Sequence, residues 1–283
     1  MDISDPPPQS SPTRGEEGRC FPNKSPSMNT YEIVALRAFA DNYIWTIRDS
    51  KCAAVVDPGD ARPVLDYLQA QKLELVAILN THHHADHVGG NAGLLGRWKA
   101  PVYGPHDERI GEVTQRLKDG ARFTLPHFGI EFEVLEIPGH TRSHIAFYGG
   151  GMLFCGDTLF AAGCGRLFEG TPRQMHESLS RLMRLPDGTR VYCGHEYTLS
   201  NIRFAKAADP GNAALQELEE KARKQREQNL PTLPSTIGQE KATNPFVRLG
   251  EPAVIASANR YAGKALNDPV SVLAAIRDWK NSF

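Results

Sequence analysis

The sequence predicts an α/β layered domain followed by a smaller α-helical domain. Two observations carry this. From Tyr31 to Tyr197, short apolar runs rich in β-branched and aromatic residues alternate with loops and stretches of helical spacing. From about Leu199 the texture changes, and apolar residues recur at helical spacing among many charges. The 283 residues suffice for one large domain or two modest ones, each with a real core.

Residues 1–28 are rich in Pro, Ser and charge and nearly empty of large aliphatics, so they are expected to be a disordered tail. Met28 opens the patterned sequence and is a candidate start of translation. YEIVALRAF and NYIWTI read as strands. CAAVVDPG is a buried run stopped at Asp57-Pro58-Gly59, and PVLDYLQAQ is a helix with Val64, Leu65 and Leu68 on one side. LELVAILN, FEVLEI, IAFY, GMLFC and RVYC are further strands, with Gly149-Gly150-Gly151 as a hairpin turn. A domain boundary falls near Glu196, giving 29–196 and 197–283. In the second part, LSNIRFAKAA, NAALQELEEKARKQREQN, ASANRYAGKAL and SVLAAIRDWKNSF read as helices, with PTLPSTIGQEKATNPF as a Pro-rich connection.

Composition excludes several classes. A net charge of −1, with no run of five Lys or Arg, leaves no stripe for tracking nucleic-acid phosphates. No apolar stretch approaches bilayer-spanning length, and the N-terminus has no apolar core of a secretory signal. Five scattered Cys without C-x-x-C pairs argue against a disulfide framework and for a reducing cytoplasm.

Thr81-His82-His83-His84-Ala85-Asp86-His87 carries the main chemical signal. Imidazole nitrogens with a carboxylate suit Zn²⁺ and related first-row metals. His82 and His84 lie two apart and so point to one side of an extended segment. Asp86 and His87 face a neighbouring point if a helix begins there. Three more candidates follow short apolar strands that end in Gly: His140 after FEVLEIPG, Asp157 after MLFCG, and His195 after RVYCG. Strand C-termini on one sheet edge converge, which is where α/β sheets place their sites. His83 is expected to face away, and His144 either supports the site or only packs. Cys155 and Cys193 read as small buried strand residues and Cys164 as a loop spacer.

H-x-H-x-D-H followed by separate His, Asp and His resembles the metallo-β-lactamase superfamily. PGHTRSH (138–144), FCGDTLFAAGCGRLFEGT (154–171), CGHEYTLSNIRFA (193–205) and PTLPSTIGQEKATNPFVR (231–248) resemble, more narrowly, the glyoxalase II family of hydroxyacylglutathione hydrolases. The resemblance runs from about Met28 to Phe283. It implies an αββα sandwich with a C-terminal helical, substrate-binding domain, and two divalent metal ions, Zn²⁺ by default with iron or manganese as alternatives. His82, His84 and His140 would hold one ion, and Asp86, His87 and His195 the other. Asp157 would bridge them, and Asp86 and Asp157 would be the catalytic carboxylates. The implied reaction is hydrolysis of S-D-lactoylglutathione and related 2-hydroxyacyl thioesters, the second step of methylglyoxal detoxification. The implied state is a cytoplasmic monomer whose partner is the small-molecule thioester, with neither nucleic acid nor membrane. An iron-dependent glutathione persulfide dioxygenase on the same fold is the alternative, and a metal-free binding module a third reading.

The family's glutathione contacts map onto Arg166, Phe168, Tyr197, Arg248 and Lys280. Animal members carry Lys and Tyr where this chain has Arg166 and Phe168, so the charge is kept and a hydroxyl is lost. The Lys expected shortly after Arg248 is absent from LGEPAV.

Overall fold

In the computed structural model, which describes Met1 and residues 31–283, the strands are few-residue runs joined by short loops. The expected tail, Met1 apart, and Met28 lie outside the described residues. The first part of the chain forms β1 (Glu32–Ala38), β2 (Asn42–Arg48), β3 (Cys52–Val56), α1 (Ala61–Gln71), β4 (Glu74–Leu79), α2 (Ala85–Val88), α3 (Asn91–Leu95), β5 (Val102–Pro105) and β6 (Gln115–Leu117). Next come β7 (Arg122–Thr124), β8 (Glu131–Glu136), β9 (Ile145–Gly149), β10 (Met152–Gly156), β11 (Leu159–Phe160), β12 (Gly163–Cys164), α4 (Pro172–Leu182) and β13 (Arg190–Cys193). The chain ends with α5 (Thr198–Ala208), α6 (Ala213–Glu227), β14 (Ser235–Thr236), α7 (Ile237–Thr243), α8 (Pro252–Ala262) and α9 (Pro269–Ser282).

Two six-stranded sheets result, in the orders β1-β2-β3-β4-β5-β6 and β14-β13-β10-β9-β8-β7. The period-two alternation of β2 shows how they pack. Tyr43, Trp45 and Ile47 point between the sheets, where they share a core with Phe132, Val134, Phe147 and Phe154. Ile44 points the other way, against Val55, Val64, Leu68 and Leu94 under α1 and α3. β2 is therefore buried on both faces, which explains its nearly unbroken apolar run.

Helix ends follow their local chemistry. Asp60 accepts from Arg62 N to start α1, which stops where Lys72 turns left-handed at φ 56°. α4 is an element beyond those predicted, set by Pro172 and a reciprocal capping pair of Thr171 and Gln174. α8 begins at Pro252, earlier than the pattern suggested, and ends at Gly263 (φ 66°), which leaves Lys264–Leu266 outside it.

The Pro-rich connection 231–246 differs most from expectation. Ser235 and Thr236 pair with Val191 and Arg190, adding an edge strand to the second sheet. Thr236 then accepts from Gln239 N and opens α7. Phe246, Val254, Leu273 and Ile276 are fully buried in the same core as that sheet. Each contributes up to roughly 1.5–3 kcal/mol of burial, so the C-terminal helices are held to the sheet by shared packing.

The edge that matters is where β3, β4, β10 and β13 end. β3 and β4 run parallel, with Val56 beside Leu79, and β10 and β13 run parallel, with Gly156 beside Cys193. The segments leaving β13 and β4 are each tied to a strand of the opposite sheet, by Tyr43 N of β2 donating to Gly194 O at 2.8 Å and Ile145 N of β9 to Thr81 O at 2.9 Å.

Candidate metal centre

Asp57, Thr81, Asp157 and His195 all lie just beyond those strand ends. The 81–88 segment leaves β4 as a tight loop and turns at once into α2, through His87 N and Val88 N donating to His84 O. A Cβ on Gly59 would lie 1.9 Å from Asp86 O, so only glycine lets the β3–α1 loop press against this helix. A Cβ on Gly165 would likewise meet Asp157 O at 1.9 Å and His140 Nδ1 at 3.0 Å.

Two groups of ligand atoms form, His82 with His84 and His140, and Asp86 with His87 and His195. In the first, His84 Nδ1 lies 3.1 Å from His82 Nε2 and 3.0 Å from His140 Nε2. In the second, His87 Nε2 and His195 Nε2 each lie 3.5 Å from Asp86 Oδ2. Asp157 stands between the groups: Oδ1 is 3.4 Å from His87 Nε2, and Oδ2 is 3.3 Å from His195 Nε2 and 3.6 Å from His140 Nε2.

The outward nitrogens are held by a second set of residues. Thr81 Oγ1 donates to Asp57 Oδ2 at 2.7 Å and so accepts from His82 Nδ1 at 3.0 Å. His140 Nδ1 donates to Arg166 O at 2.8 Å, His87 Nδ1 to Asp57 Oδ2 at 3.1 Å, and His195 Nδ1 to Asp41 Oδ1 at 2.7 Å. A ring that donates outward presents a bare lone pair inward. A third grouping, Asp57 with His82 and His87, also has ligand spacing. Asp57, however, already accepts from Thr81 N, Thr81 Oγ1 and His87, so it orients the ring and does not join the inner donors.

This donor set fits metal ions. Bare nitrogen lone pairs about 3 Å apart repel unless a cation or proton lies among them. His87 Nε2 and Asp157 Oδ1 are buried without a hydrogen-bond partner, although facing groups satisfy most atoms of this kind. Burial pushes His82 well below the usual histidine range and His84 down to about 4, with His140 adding to the latter; burial likewise lowers His140. Burial would lower His87 and His195 too, but Asp157 outweighs it. His87 is raised well above the ordinary value and His195 to about 10. Asp157 is itself held far down despite burial, by His87 and His195. His82, His84 and His140 stay neutral while the ionised carboxylates draw positive charge onto His87 and His195, so the charge demand of the cluster is positive.

Other sequence candidates fall as follows. His83 turns away, its ring 3.5 Å from Asp107 and 3.6 Å from Glu169. His144 stacks on His82 and accepts from Asp157 N at 3.2 Å, so it supports the site. Burial raises the Cys155 and Cys193 thiols, and their Sγ atoms face the carbonyls of Leu159 and His195. Tyr197 stacks on His195 at 4.7 Å, and the Phe168 ring stands edge-on to His84 and His140 while 61% exposed. Arg166 lies over Phe168 and donates to Asn281 Oδ1 at 3.3 Å. Lys280 is one residue from Asn281, and burial, with Arg277 next, lowers it to about 8. Arg248 is not brought to this group by any contact; it donates to Asp209 Oδ2 at 2.9 Å and to Lys241 O at 3.2 Å.

The sequence reading missed Asp41, Asn42, Asp57 and Arg277. Asn42 Nδ2 donates to Asp86 Oδ2 at 3.0 Å. Arg277 is buried, and donates to Cys164 O at 2.9 Å on the segment that carries Arg166. Asp57 had a usable signal, since it follows an apolar strand and precedes Gly59 as His140, Asp157 and His195 each follow one. Asp41 sits in the turn before β2 and Asn42 at its first position, and neither had one.

Residues 39–195 match the family model of the metallo-beta-lactamase superfamily, and residues 196–283 match that of the hydroxyacylglutathione hydrolase C-terminus. A hydroxyacylglutathione hydrolase of Nitrosomonas europaea is 56% identical over 251 residues, covering 89% of this chain and 96% of that protein. One of Aeromonas salmonicida is 52% identical over 255 residues, covering 89% of this chain and 100% of that protein. Among solved structures, ETHE1 from Myxococcus xanthus aligns with a TM-score of 0.59 at 26% identity, covering 89% of this chain and 99% of that one. TTHA1623, solved in a di-iron-bound form, aligns with a TM-score of 0.53 at 30% identity, covering 76% and 99%.

Proposed function

The chain belongs to the hydroxyacylglutathione hydrolase family on the metallo-beta-lactamase fold, and from that premise we propose how its residues perform the reaction. It is a thioester hydrolase of the glyoxalase II type, splitting a hydroxyacyl-glutathione thioester into glutathione and the hydroxy acid. The persulfide dioxygenase alternative has no comparable support beside relatives at 50–56% identity.

In this reading His82, His84 and His140 would hold one divalent ion, Asp86, His87 and His195 would hold a second, and Asp157 would serve both. The observation that carries it is the convergence of the inward nitrogens of His87, His140 and His195 on Asp157, each of these three rings fixed from outside by its own partner. Zn²⁺ is the default, and the di-iron form of TTHA1623 supports iron on a similar frame. When bound, the ions supply Lewis acidity and bring the pKa of water towards about 7.

The chain's own residues do the rest. Asp41 and Asp57 keep the protons of His195 and His87 on the outward nitrogens. Asn42 fixes one oxygen of Asp86. Arg166 and Lys280 offer cations for the two carboxylates of glutathione, while Phe168 and Tyr197 wall the site beside His84 and His195. The glutathione thiol is acidic enough, at about 8.5 for an ordinary thiol, to leave as thiolate without a dedicated acid. The reading places residues 29–196 as the catalytic domain and 197–283 as the substrate-binding one. We further propose that the protein works as a cytoplasmic monomer. No helix among the described residues is long and apolar enough to cross a membrane.

The test is incubation with S-D-lactoylglutathione, following thioester loss, free thiol and oxygen, with and without chelator, alongside elemental analysis. Chelator-sensitive thiol release without oxygen uptake, at about two ions per chain, is expected. One ion per chain with full activity would refute the two-ion reading.

A further inference from the structure

Behind the Phe168 segment lies a charged cluster that the hydrolysis scheme does not use. Arg109, in the loop after β5, forks onto Asp107, with Nε 2.8 Å from Oδ1 and an Nη2 2.7 Å from Oδ2. The same guanidinium reaches Glu169, with Nη1 2.5 Å from Oε1 and Nη2 3.4 Å from Oε2. Glu169 also accepts from Arg142 N at 2.9 Å, and Asp107 from Ser143 Oγ at 2.5 Å. The His83 ring lies between the two carboxylates. The guanidinium thus joins the loop after β5 to the one bearing Arg166 and Phe168, and the two carboxylates it holds tie in the loop bearing His140.

The loop bearing Arg166 and Phe168 needs an anchor. Around Phe168 its backbone meets the His140 loop only by long bonds, Phe168 N and Glu169 N on His140 O at 3.2 and 3.3 Å and Gly170 N on Gly139 O at 3.2 Å, whereas the 2.8 Å bond from His140 Nδ1 reaches Arg166 O, two residues earlier. Phe168 is too exposed to be fixed by burial, and Arg166 is exposed as well. On one side of Phe168, Leu167 packs against the core; on the other, Glu169 is held by the ion-pair cluster. A lone surface ion pair would contribute little, but a two-carboxylate fork around one planar guanidinium specifies geometry.

We propose that Arg109 is a positioning residue for the glutathione-binding segment, holding Glu169 and through it Phe168 and Arg166 against the metal-ligand loops of His84 and His140. The proposal rests on the reading that Phe168 and Arg166 face the glutathione part of the substrate. It makes Arg109 matter for glutathione thioesters and not for the acyl transfer itself.

The test compares metal-loaded wild type with Arg109→Gln and Glu169→Gln on S-D-lactoylglutathione and on a lactoyl thioester of a small uncharged thiol. Either variant should raise KM for the glutathione thioester roughly tenfold, the size of one charge-assisted hydrogen bond, with kcat nearly unchanged. The small thioester should react as in wild type, metal content should stay the same, and the double variant should be no worse than either single one. Equal losses on both substrates, or loss of metal, would overturn the proposal in favour of general support of the site. Amide hydrogen exchange at Phe168, Glu169 and Gly170 is a second measurement, independent of substrate. It should accelerate in Arg109→Gln, and unchanged exchange would overturn the clamp even if the functional reading stands. Faster exchange without the KM effect would keep the clamp and refute the glutathione role of the segment.

Discussion

Asp57 Oδ2 lies 3.1 Å from His87 Nδ1, and the same carboxylate accepts from Thr81 N and Thr81 Oγ1 at 2.8 and 2.7 Å. One side chain at the end of β3 therefore sets the ring of His87 and, through Thr81, that of His82. It does so from a left-handed backbone position, φ 52°, that Asp and Asn tolerate better than most residues.

Asp57→Asn keeps the size and the backbone preference but removes the charge facing His87 Nδ1. Metal affinity on the His87 side should fall roughly 10- to 100-fold, with activity following it at limiting metal. Competition with a graded series of chelators measures this. Wild-type affinity in the variant would mean that His87 needs no orienting carboxylate.

Asp157→Ala should remove metal and activity together, because its two oxygens face ligand atoms of both groups. A loss on the order of 100-fold or more in kcat/KM is expected, with elemental analysis showing both ions depleted. Full occupancy in this variant would contradict a bridging position.

Phe168→Tyr adds a hydroxyl to an exposed ring beside His84 and His140. If this ring faces glutathione, a new hydrogen bond contributing about 0.5–1.5 kcal/mol should lower KM roughly two- to tenfold, with kcat little changed. Steady-state kinetics on the glutathione thioester decide it, and an unchanged KM would place the ring away from a polar group of the substrate.

Glu240 is fully buried in α7, where its Oε2 accepts from Ala162 N at 2.9 Å and Asn244 Nδ2 at 3.0 Å. Burial raises its pKa from 4.5 to about 7. The folded state thus holds this proton more tightly than the unfolded chain. Its stabilisation is complete below about pH 4.5 and is lost as the pH rises through 7, a swing of up to roughly 3 kcal/mol. Glu240→Gln should flatten this dependence, gaining stability relative to wild type at pH 8 but not at pH 5. Denaturant unfolding across that range measures it, and parallel curves for the two proteins would show that the carboxyl titrates normally.

The sequence by itself determined the layered α/β class, the eight strands and five helices read from their patterns, and the seven His and Asp side chains at strand ends. These are local features: alternation of period two, helical spacing, and ligand residues after apolar runs. What only the tertiary structure decided is who holds them. Asp41 reaches His195 across 154 residues and Asp57 reaches His87 across 30, contacts with no periodicity to betray them. The placement of Arg248 on Asp209, and of Arg277 on the Cys164 carbonyl, was equally invisible. The Pro-rich stretch at 231–246 read as a connector because a two-residue edge strand has no pattern of its own, and β14 exists only because β13 offers it partners. Side chains that bind a metal announce themselves by type and spacing. The groups that orient them are ordinary residues, made functional by the fold that brings them into hydrogen-bond reach.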